Sequence, residues 1–567
     1  MGGTRPDARA GAAAHPRPTW AVDALVVAAL GALVAGLVSL SQRWAAPLQS
    51  AVVIDLSPGA LPVYTLLSLA RGFVAYLLSL GVTLVYGTAA AHRPAAARIL
   101  IPLLDVLQSI PVLGFLPGLV LGLVALFPHR TVGLELACVV MIFTGQAWNM
   151  IFSFYGSLRS IPPELGEVAT MFRMTRWQRF RSLEVPSAAM GLVWNSMMSM
   201  AGGWFFLTVT EAFTLGDRDF RLPGVGSYMS VAIDHDDRRA MVAAVIAMAA
   251  MIVATDQLLW RPLVVWSQRF KLEDTAGGDE TRSWLLDLLA RSGLLVRLRR
   301  MFASRGAAPA RTAAPLAPPS PLVGRVALAA AVAATAAGVV ALARLLVQVP
   351  AAGWLRVATG LGATTLRTSG AVALSALWTV PIGILLGRSP TAARRVEPVV
   401  QLLASFPAPM LYPLVTALLL ALRVPFALAA VVLMLLGAQW YVLFNVIAGA
   451  GAIPADLRES ADAFRLRGWR RWRTLELPVV FPYLVTGLVT AAGGAWNASI
   501  VAEFVHFRGR TLVTTGLGAL ITEATAAGDF PLLAAGVLTM ALTVVTLNRL
   551  GWRRLYRLAE TRYALVR

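Results

Sequence analysis

The chain repeats its own sequence at a constant spacing, and this constrains the fold more than any other feature. Trp148 and Trp440 lie 292 positions apart, and many later positions recur at the same offset. Closer to the N-terminus the offset becomes 296, as between Arg71 and Arg367. A repeat of this length predicts two domains related by duplication rather than the short stacked units of a solenoid.

The composition places both copies in a membrane. Of the 567 residues, 57% are hydrophobic and only 14% are charged, and the mean hydropathy is +0.69. In soluble domains, about a quarter of the residues are charged. Apolar runs of about 20 residues, the length needed to cross the hydrocarbon core, recur along the chain. The sequence therefore predicts an all-α polytopic membrane protein.

Six spans are predicted in each half, about 12 in total. The spans are 20–41, 61–91, 99–128, 131–156, 186–212 and 240–263, then 322–347, 361–387, 396–421, 425–449, 478–504 and 531–551. The predicted domains are a tail (1–19), a first transmembrane domain (20–269), a linker (270–321), a second transmembrane domain (322–560) and a C-terminal tail (561–567). An even number of spans returns each half to its starting side, so the halves are parallel repeats.

The net charge of +20 comes from arginines in the short loops of one side, such as Arg93, Arg173 and Arg465. This is the positive-inside pattern of a membrane protein, and it removes the need for a nucleic-acid partner. It predicts that both termini and the linker are cytoplasmic. No cleavable signal peptide is expected, because the first span is too long for the apolar region of a signal.

The linker holds an amphipathic basic stretch, from Trp284 to Met301, and then a Pro/Ala-rich segment, from Ala307 to Pro321. The first part is typical of a helix that lies on the anionic inner leaflet. A plain connector remains an equal alternative, and the second part predicts an extended tether.

The longest loop on the basic side occurs twice, between the fourth and fifth spans of each half. Each copy begins with Ile-Pro, at Ile161-Pro162 and Ile453-Pro454. Each continues as a short amphipathic helix, because its apolar residues recur at helical spacing and proline suits a first turn. Two alternatives remain open: the apolar stripe binds a partner, or it folds back onto the inner ends of the spans. Two copies favour a partner with two equivalent grooves.

These loops resemble those of the permeases of ATP-binding-cassette importers. The family pattern is Glu-Ala-Ala, three residues, Gly, nine residues, then Ile-x-Leu-Pro. Here Glu167-Val168-Ala169 and Glu459-Ser460-Ala461 match its start, and Val185-Pro186 and Leu477-Pro478 match its end. Arg173 and Arg465 replace the family glycine. Further residues are similar to the nitrate/sulfonate/taurine/bicarbonate branch: Gly202-Gly203-Trp204 with Glu211, Gly493-Gly494-Ala495-Trp496 with Glu503, Gly516-Leu517-Gly518, Phe406-Pro407 and Tyr412-Pro413-Leu414.

The resemblance implies a type I importer-like permease with both six-helix domains in one chain. Its partners would be two cytoplasmic ATPase subunits and a substrate-binding protein, and its solute a small one, of anion type. The residues expected to couple to the ATPases are Glu164, Leu165, Glu167, Ala169, Phe172 and Arg173, with Asp456, Leu457, Glu459, Ala461, Phe464 and Arg465. The alternative is a secondary transporter of two parallel halves that is driven by an ion gradient.

The chain is not expected to be an enzyme. Its single lysine, Lys271, follows Phe270, which excludes a phosphate-binding loop of the Gly-Lys-Ser/Thr type. ATP would be bound by the partner subunits, and no cofactor of its own is expected. The lone Cys138 excludes an intrachain disulfide and a cysteine-based metal cluster, and no His/Glu pair has metal-ligand spacing.

Two sets of residues inside the spans are candidates for function, because polar groups are costly in the membrane. Arg71, Glu211, Arg367 and Glu503 lie at matched outer positions. They could form a gate or an anion contact, or could be ion pairs that pin two helices. The candidates for a solute pathway between the halves are Trp148, Asn149, Asn195, Trp204, Phe205, Gln439, Trp440, Trp496 and Asn497. Packing is the alternative role for the aromatic members.

Overall fold

The computed structural model describes residues 24, 52–109, 111–128, 130–215, 218–270, 285, 321–507 and 510–563. The predicted tail 1–19 lies outside the described residues. The same holds for the span 20–41 and the linker apart from single positions, and for the end of the C-terminal tail.

The first half is built from helices and one hairpin. Its elements are α1 (Leu61–His92), α2 (Pro94–Ser109), α3 (Leu116–Leu126), α4 (Val132–Arg159), α5 (Pro163–Met171), α6 (Arg176–Arg179), α7 (Val185–Thr210), β1 (Ala212–Leu215), β2 (Arg218–Arg221), α8 (Val225–Asp234), α9 (Arg238–Thr255) and α10 (Arg261–Ser267). Short helical turns at Pro58–Ala60, Val112–Phe115, Phe180–Glu184, Asp256–Trp260 and Gln268–Phe270 join or extend these helices.

The second half repeats this order after a helix, α11, whose first-half equivalent (25–51) lies outside the described residues. Its elements are α11 (Pro321–Val347), α12 (Ala351–Gly387), α13 (Pro390–Ser405), α14 (Ala408–Ala421), α15 (Phe426–Gly451), α16 (Ala455–Ala463), α17 (Gly468–Arg471), α18 (Leu477–Ala502), β3 (Phe504–Phe507), β4 (Arg510–Val513), α19 (Leu517–Ala527), α20 (Phe530–Leu547) and α21 (Arg553–Arg562). π-Helical turns at Trp472–Glu476 and Asn548–Trp552 precede α18 and α21. The bounds of α18 are those of α7 shifted by 292 residues, which confirms the duplication.

Seven helices of the described residues are long and apolar enough to cross a membrane. They are Pro58–His92, Val132–Arg159, Arg238–Phe270, Ala351–Gly387, Phe426–Gly451, Gly468–Ala502 and Phe530–Ala559. An eighth is reached if a bent pair, Pro398–Ser405 with Ala408–Ala421, counts as one span. This confirms a multi-pass membrane protein. The predicted spans 186–212 and 322–347 are helices, α7 and α11, outside this set.

Two predicted spans are broken, which corrects the sequence-based boundaries. Segment 99–128 consists of α2 and α3, and segment 396–421 bends by 87° between α13 and α14. The second break follows from Pro407, because a residue before proline is driven out of the helical region. Phe406 accordingly adopts an extended conformation, with φ −74° and ψ 127°.

Each half also contains a feature that the apolar pattern did not predict. A two-stranded antiparallel hairpin pairs Ala212 with Arg221 in the first half and Phe504 with Val513 in the second. A short helix, α8 or α19, follows each hairpin. The all-helical prediction is therefore correct apart from these two hairpins.

The long helices of each half pack as a three-helix core, α1 with α4 and α7, and α12 with α15 and α18. In the second half, fully buried alanines such as Ala430 and Ala495 lie inside this three-helix core. Small residues let membrane helices approach closely. His92 at the end of α1 contacts Glu184 just before α7, so these ends share one side, called the basic face below.

Candidate functional site

A buried charge cluster lies at the end of the first half that is opposite the basic face. Arg71, with no exposed surface, donates through Nε and Nη2 to both carboxylate oxygens of Glu135, at 2.6 and 2.8 Å. Its Nη1 donates to Glu211 Oε1 at 2.8 Å and to the Pro223 carbonyl oxygen at 2.8 Å. One guanidinium therefore holds two carboxylates at a site that is buried from the bulk solvent.

The second half repeats the arrangement with one carboxylate. Arg367 Nη1 donates to Glu503 Oε1 at 2.7 Å and to the Thr515 carbonyl oxygen at 2.7 Å. The position of Glu135 is occupied by Ala427, and Arg367 keeps 11% of its side chain exposed. The structure thus brings the four predicted outer residues together as two ion pairs. Glu135 escaped the sequence analysis, although an acidic residue inside an apolar run is itself a signal of function.

The two glutamates also hold the helix that follows each hairpin. Glu211 Oε2 accepts from the Gly226 backbone N–H at 2.8 Å, and Glu503 Oε2 accepts from that of Gly518 at 2.9 Å. A carboxylate is stabilised at this positive end of a helix. A Cβ on Gly516 would overlap the Glu503 carboxylate, so the glycines of this motif make room for the charge.

A cavity of about 480 Å³ lies between the two halves. Six of the nine predicted pathway residues line it: Trp148, Asn149, Phe205, Trp440, Trp496 and Asn497. Its wall also includes both helix breaks, at Val112 and at Phe406 to Ala408, and reaches Trp552 and Tyr556 near the basic face. Volume and position suit a small-molecule pathway, since ligand pockets span about 300–1,000 Å³.

The cavity is asymmetric because several of its polar residues have apolar counterparts in the other half, and Asn497 is one of them. Asn497 Oδ1 accepts from the backbone N–H of Val112 at 2.8 Å and so ties α18 to the break between α2 and α3. The equivalent residue of the first half, Phe205, has no acceptor for such a bond. The two breaks therefore have different environments within one cavity.

Three predicted pathway residues lie outside the cavity lining. Asn195 Nδ2 donates to Ser153 Oγ at 2.9 Å, which holds α7 to α4. Trp204 is buried and packs against Gly72, where an added Cβ would lie 2.8 Å from the indole ring. Gln439 is buried within α15. Their polarity or aromatic character suggested a pathway role, but residue type alone does not determine which side of a helix faces the cavity between the halves.

The lining chemistry is aromatic and uncharged. Ten of the described lining residues are aromatic, and none of the described lining residues carries a charge. Besides its tyrosines and tryptophans, the lining offers the hydrogen-bonding side chains Gln108, Thr144, Asn149, Thr486, Thr490, Asn497 and Asn548. A solute in this cavity would be recognised by amide, hydroxyl and ring groups.

The duplicated loops combine both arrangements that the sequence left open. Ala461 is buried with Ile453, Leu475 and Val479, so one side of α16 folds back onto the protein. Phe464 is 80% exposed, and its first-half equivalent Phe172 is 74% exposed. The acidic candidates Glu164, Glu167, Asp456 and Glu459 are exposed, Leu165 and Leu457 are half-buried, and Ala169 is buried.

Both loop helices end in a sharp turn without glycine. Arg173 and Arg465 adopt positive φ angles of 49° and 50°. The next backbone N–H groups, of Met174 and Leu466, donate to carbonyl oxygens five residues back at 3.0 and 2.8 Å. This is the hydrogen-bonding pattern of a helix C-cap that usually carries glycine. The turn of the family pattern is therefore kept by arginine in a left-handed conformation.

A buried glutamate ties each loop to the rest of its half, and the sequence analysis did not single it out. Glu184 accepts from Arg179 Nε at 3.0 Å, and its Oε1 lies 2.8 Å from His92 Nε2. Its equivalent Glu476 lies 3.3 Å from the Nε atoms of Arg388 and Arg471. The available signal was that Leu-Glu recurs at the repeat spacing, as Leu183-Glu184 and Leu475-Glu476.

Comparison with known proteins identifies the chain's relatives. The family described as binding-protein-dependent transport system inner membrane component matches residues 81–259 and 379–562. A bicarbonate transport system permease protein of Synechocystis is 31% identical over 150 residues, 26% of this chain and 52% of that protein. A riboflavin transport system permease protein of Chloroflexus aurantiacus is 34% identical over 106 residues, 19% of this chain and 37% of that protein.

A nitrate import permease protein of Leptolyngbya laminosa is 26% identical over 190 residues, 34% of this chain and 64% of that protein. The chain spans about half the length of the curated relatives that it matches first. Within the described residues, no three His, Cys, Asp or Glu side chains are grouped as a metal site would require.

Proposed function

This chain belongs to the family of binding-protein-dependent transport system inner membrane components, and we propose that it forms the whole solute pathway of an ATP-driven importer. The carrying observation is that one cavity is lined by equivalent residues of both halves, such as Trp148 and Trp440. One polypeptide would then supply both transmembrane domains. It would lie in the cytoplasmic membrane of a bacterium, with the basic face and both termini in the cytoplasm.

Two ATPase subunits would bind the two loop helices. The exposed Phe172 and Phe464 give each loop an apolar contact at the same position, and the acidic residues beside them add charge. ATP would be hydrolysed by these subunits. A substrate-binding protein would deliver the solute to the opposite side, where the hairpins and the helices α8 and α19 lie.

Movement would pass from the loops to the cavity through Glu184 and Glu476. Each glutamate contacts the inner end of a long helix, at His92 or Arg388, and a residue of its own loop, at Arg179 or Arg471. When the ATPases draw the loops together, α1 and α12 would follow. The cavity would then change from inward to outward access, because the two states differ in these contacts.

The proposed solute is a small anion, as the names of the bicarbonate and nitrate relatives suggest. The uncharged lining would bind an anion only through hydrogen-bond donors such as the side chains of Asn149 and Thr490. Weak binding suits a transit site, since a buried cation would retain the solute. The ion-gradient alternative is less well supported, because the family depends on binding proteins.

The test is uptake into proteoliposomes that contain the chain, its ATPase subunits and its binding protein, with labelled bicarbonate and nitrate as solutes. ATP should drive uptake of one of them. The Phe172→Asp/Phe464→Asp variant should lose uptake and ATPase copurification, because both apolar contacts become charged. Val513→Asp, an exposed apolar site on the opposite side, is the matched control and should keep ATPase copurification. Uptake that persists without ATP, or in the double variant, would refute the proposal.

A further inference from the structure

The last helix of the chain carries a stripe of arginines. α20 and α21 form one continuous helix through the π-helical turn Asn548–Trp552. Arg549, Arg553 and Arg557 follow each other at intervals of four residues and so lie on one face of it. All three side chains are exposed, as are those of Arg554 and Arg562 nearby.

The guanidinium groups of these arginines have no partner within the described part of the protein. Within the described part of the chain, no ion pair or hydrogen bond involves the guanidinium group of any of the five. Ring contact between Tyr563 and Phe481, 4.7 Å apart, places this end of the helix beside the start of α18, at the basic face. The stripe is thus an unpaired positive surface at a membrane boundary.

The stripe continues a lipid-facing surface. Leu542 and Leu550 are 58% and 60% exposed, on the same side of the helix as the arginines. Leucine side chains this exposed on a membrane helix contact acyl chains. Arg553 and Arg557 follow this exposed apolar surface along the helix, so they would lie nearer to the phosphates of the headgroups.

The first half lacks this feature. The residues equivalent to Arg549, Arg553 and Arg557 are Gln257, Arg261 and Val265. A general bias of arginines toward the cytoplasm would act on both halves and requires no four-residue spacing. The surface is therefore specific to the second half.

We propose that Arg549, Arg553 and Arg557 bind the phosphate groups of anionic phospholipids of the inner leaflet. Basic clusters directly beyond a membrane helix attract anionic lipid electrostatically, and the orientation is the one proposed above. Trp552 and Tyr556 of the same helix line the cavity. Bound lipid would therefore fix the helix that forms part of the inner mouth of the pathway.

The test uses the purified full chain in a neutral detergent and needs no transport. Its melting temperature is followed while phosphatidylglycerol is added, with phosphatidylcholine and inorganic phosphate as comparison probes. Phosphatidylglycerol should stabilise the wild type most. Arg553→Gln/Arg557→Gln should require about thirtyfold more of this lipid for half of the effect.

The matched control is Arg261→Gln/Arg269→Gln, which removes two exposed arginines at the equivalent end of the first half. It should respond as the wild type does, and Arg553→Lys/Arg557→Lys should keep most of the response. The proposal is overturned if the control loses as much as the test variant, or if the test variant behaves as wild type. It is also overturned if inorganic phosphate or phosphatidylcholine stabilises the wild type as well as phosphatidylglycerol does. A wild-type response in the test variant would indicate that another segment or an ATPase surface covers these arginines.

Discussion

At the scale of single residues, the two halves use the same buried ion pair at different cost. Arg71 has no exposed side-chain surface and pairs with two carboxylates. Arg367 pairs with one carboxylate, and its side chain is slightly exposed. A buried charge that loses its partner is strongly destabilising, because the remaining charge keeps its desolvation cost. The structure therefore predicts unequal effects from equivalent substitutions.

Arg71→Met should lower the free energy of unfolding by roughly 3–5 kcal/mol, since it strands both Glu135 and Glu211. Arg367→Met should cost less, because it leaves only one carboxylate, Glu503, without its partner, at a site where the arginine side chain is 11% exposed. Thermal unfolding in one detergent compares the two variants.

Adding Glu135→Gln to Arg71→Met should recover part of the loss, because one of the two stranded charges is removed. Equal melting temperatures for wild type and Arg71→Met would show that the cluster does not stabilise the fold.

Arg173→Gly and Arg465→Gly should each stabilise the chain by about 0.5–1 kcal/mol. Both positions have positive φ, where a residue with a side chain is strained by about 1–2 kcal/mol, and glycine removes that strain. Part of this stabilisation is offset because glycine loses more backbone entropy on folding. The same unfolding measurement provides the check. Gly528→Ala, at φ 67°, is the opposite control and should destabilise. A lower melting temperature for both arginine variants would argue against strain.

At the scale of elements, the sequence predicted the positions of the long helices but not where they break. Apolar runs identify a span by length, yet Pro407 interrupts such a run without changing its hydropathy. The hairpins were missed because their strands, such as Phe504–Phe507, are only four residues long. The loop helices were predicted correctly because proline, acidic residues and helical periodicity coincide in nine residues.

For the site residues too, the sequence predicted some positions correctly and missed those that depend on the tertiary fold. The duplicated positions led to the ion pairs, since Arg71 and Arg367 match in the alignment of the halves. Asn195 and Trp204 were expected in the cavity and lie elsewhere. The helical period of 3.6 residues shows which residues share one face of a helix, but not which other helix or cavity that face contacts. Glu184 recurs as Glu476 at the repeat spacing, yet its contact with His92 depends on the tertiary fold.

Glu476→Gln should weaken the link between its loop and α12 by about 1–2 kcal/mol, since two arginines lose a charged partner that is itself buried. Glu184→Gln should have a smaller effect, because only Arg179 carries a permanent charge there. In the reconstituted importer, each variant should hydrolyse more ATP for each solute transported, and Glu476→Gln should do so more strongly. An unchanged ratio in both variants would exclude these glutamates from coupling.

At the scale of the whole molecule, the duplication, the membrane class and the family follow from the sequence alone. The cavity between the halves does not, because its lining combines residues of distant segments such as Asn149 and Asn497. The central claim is that this cavity is one pathway whose access alternates between the two faces.

Cysteine accessibility at Asn149 tests this claim most directly. Asn149 is exposed and lines the cavity, and Cys138→Ala removes the only native cysteine. In that background, Asn149→Cys should react with a membrane-impermeant maleimide added at the basic face. It should react from the opposite face once the ATPase subunits hold trapped nucleotide. Val513→Cys should react only from the opposite face throughout. Labelling of Asn149→Cys from both faces at once, or from one face regardless of nucleotide, would contradict the account.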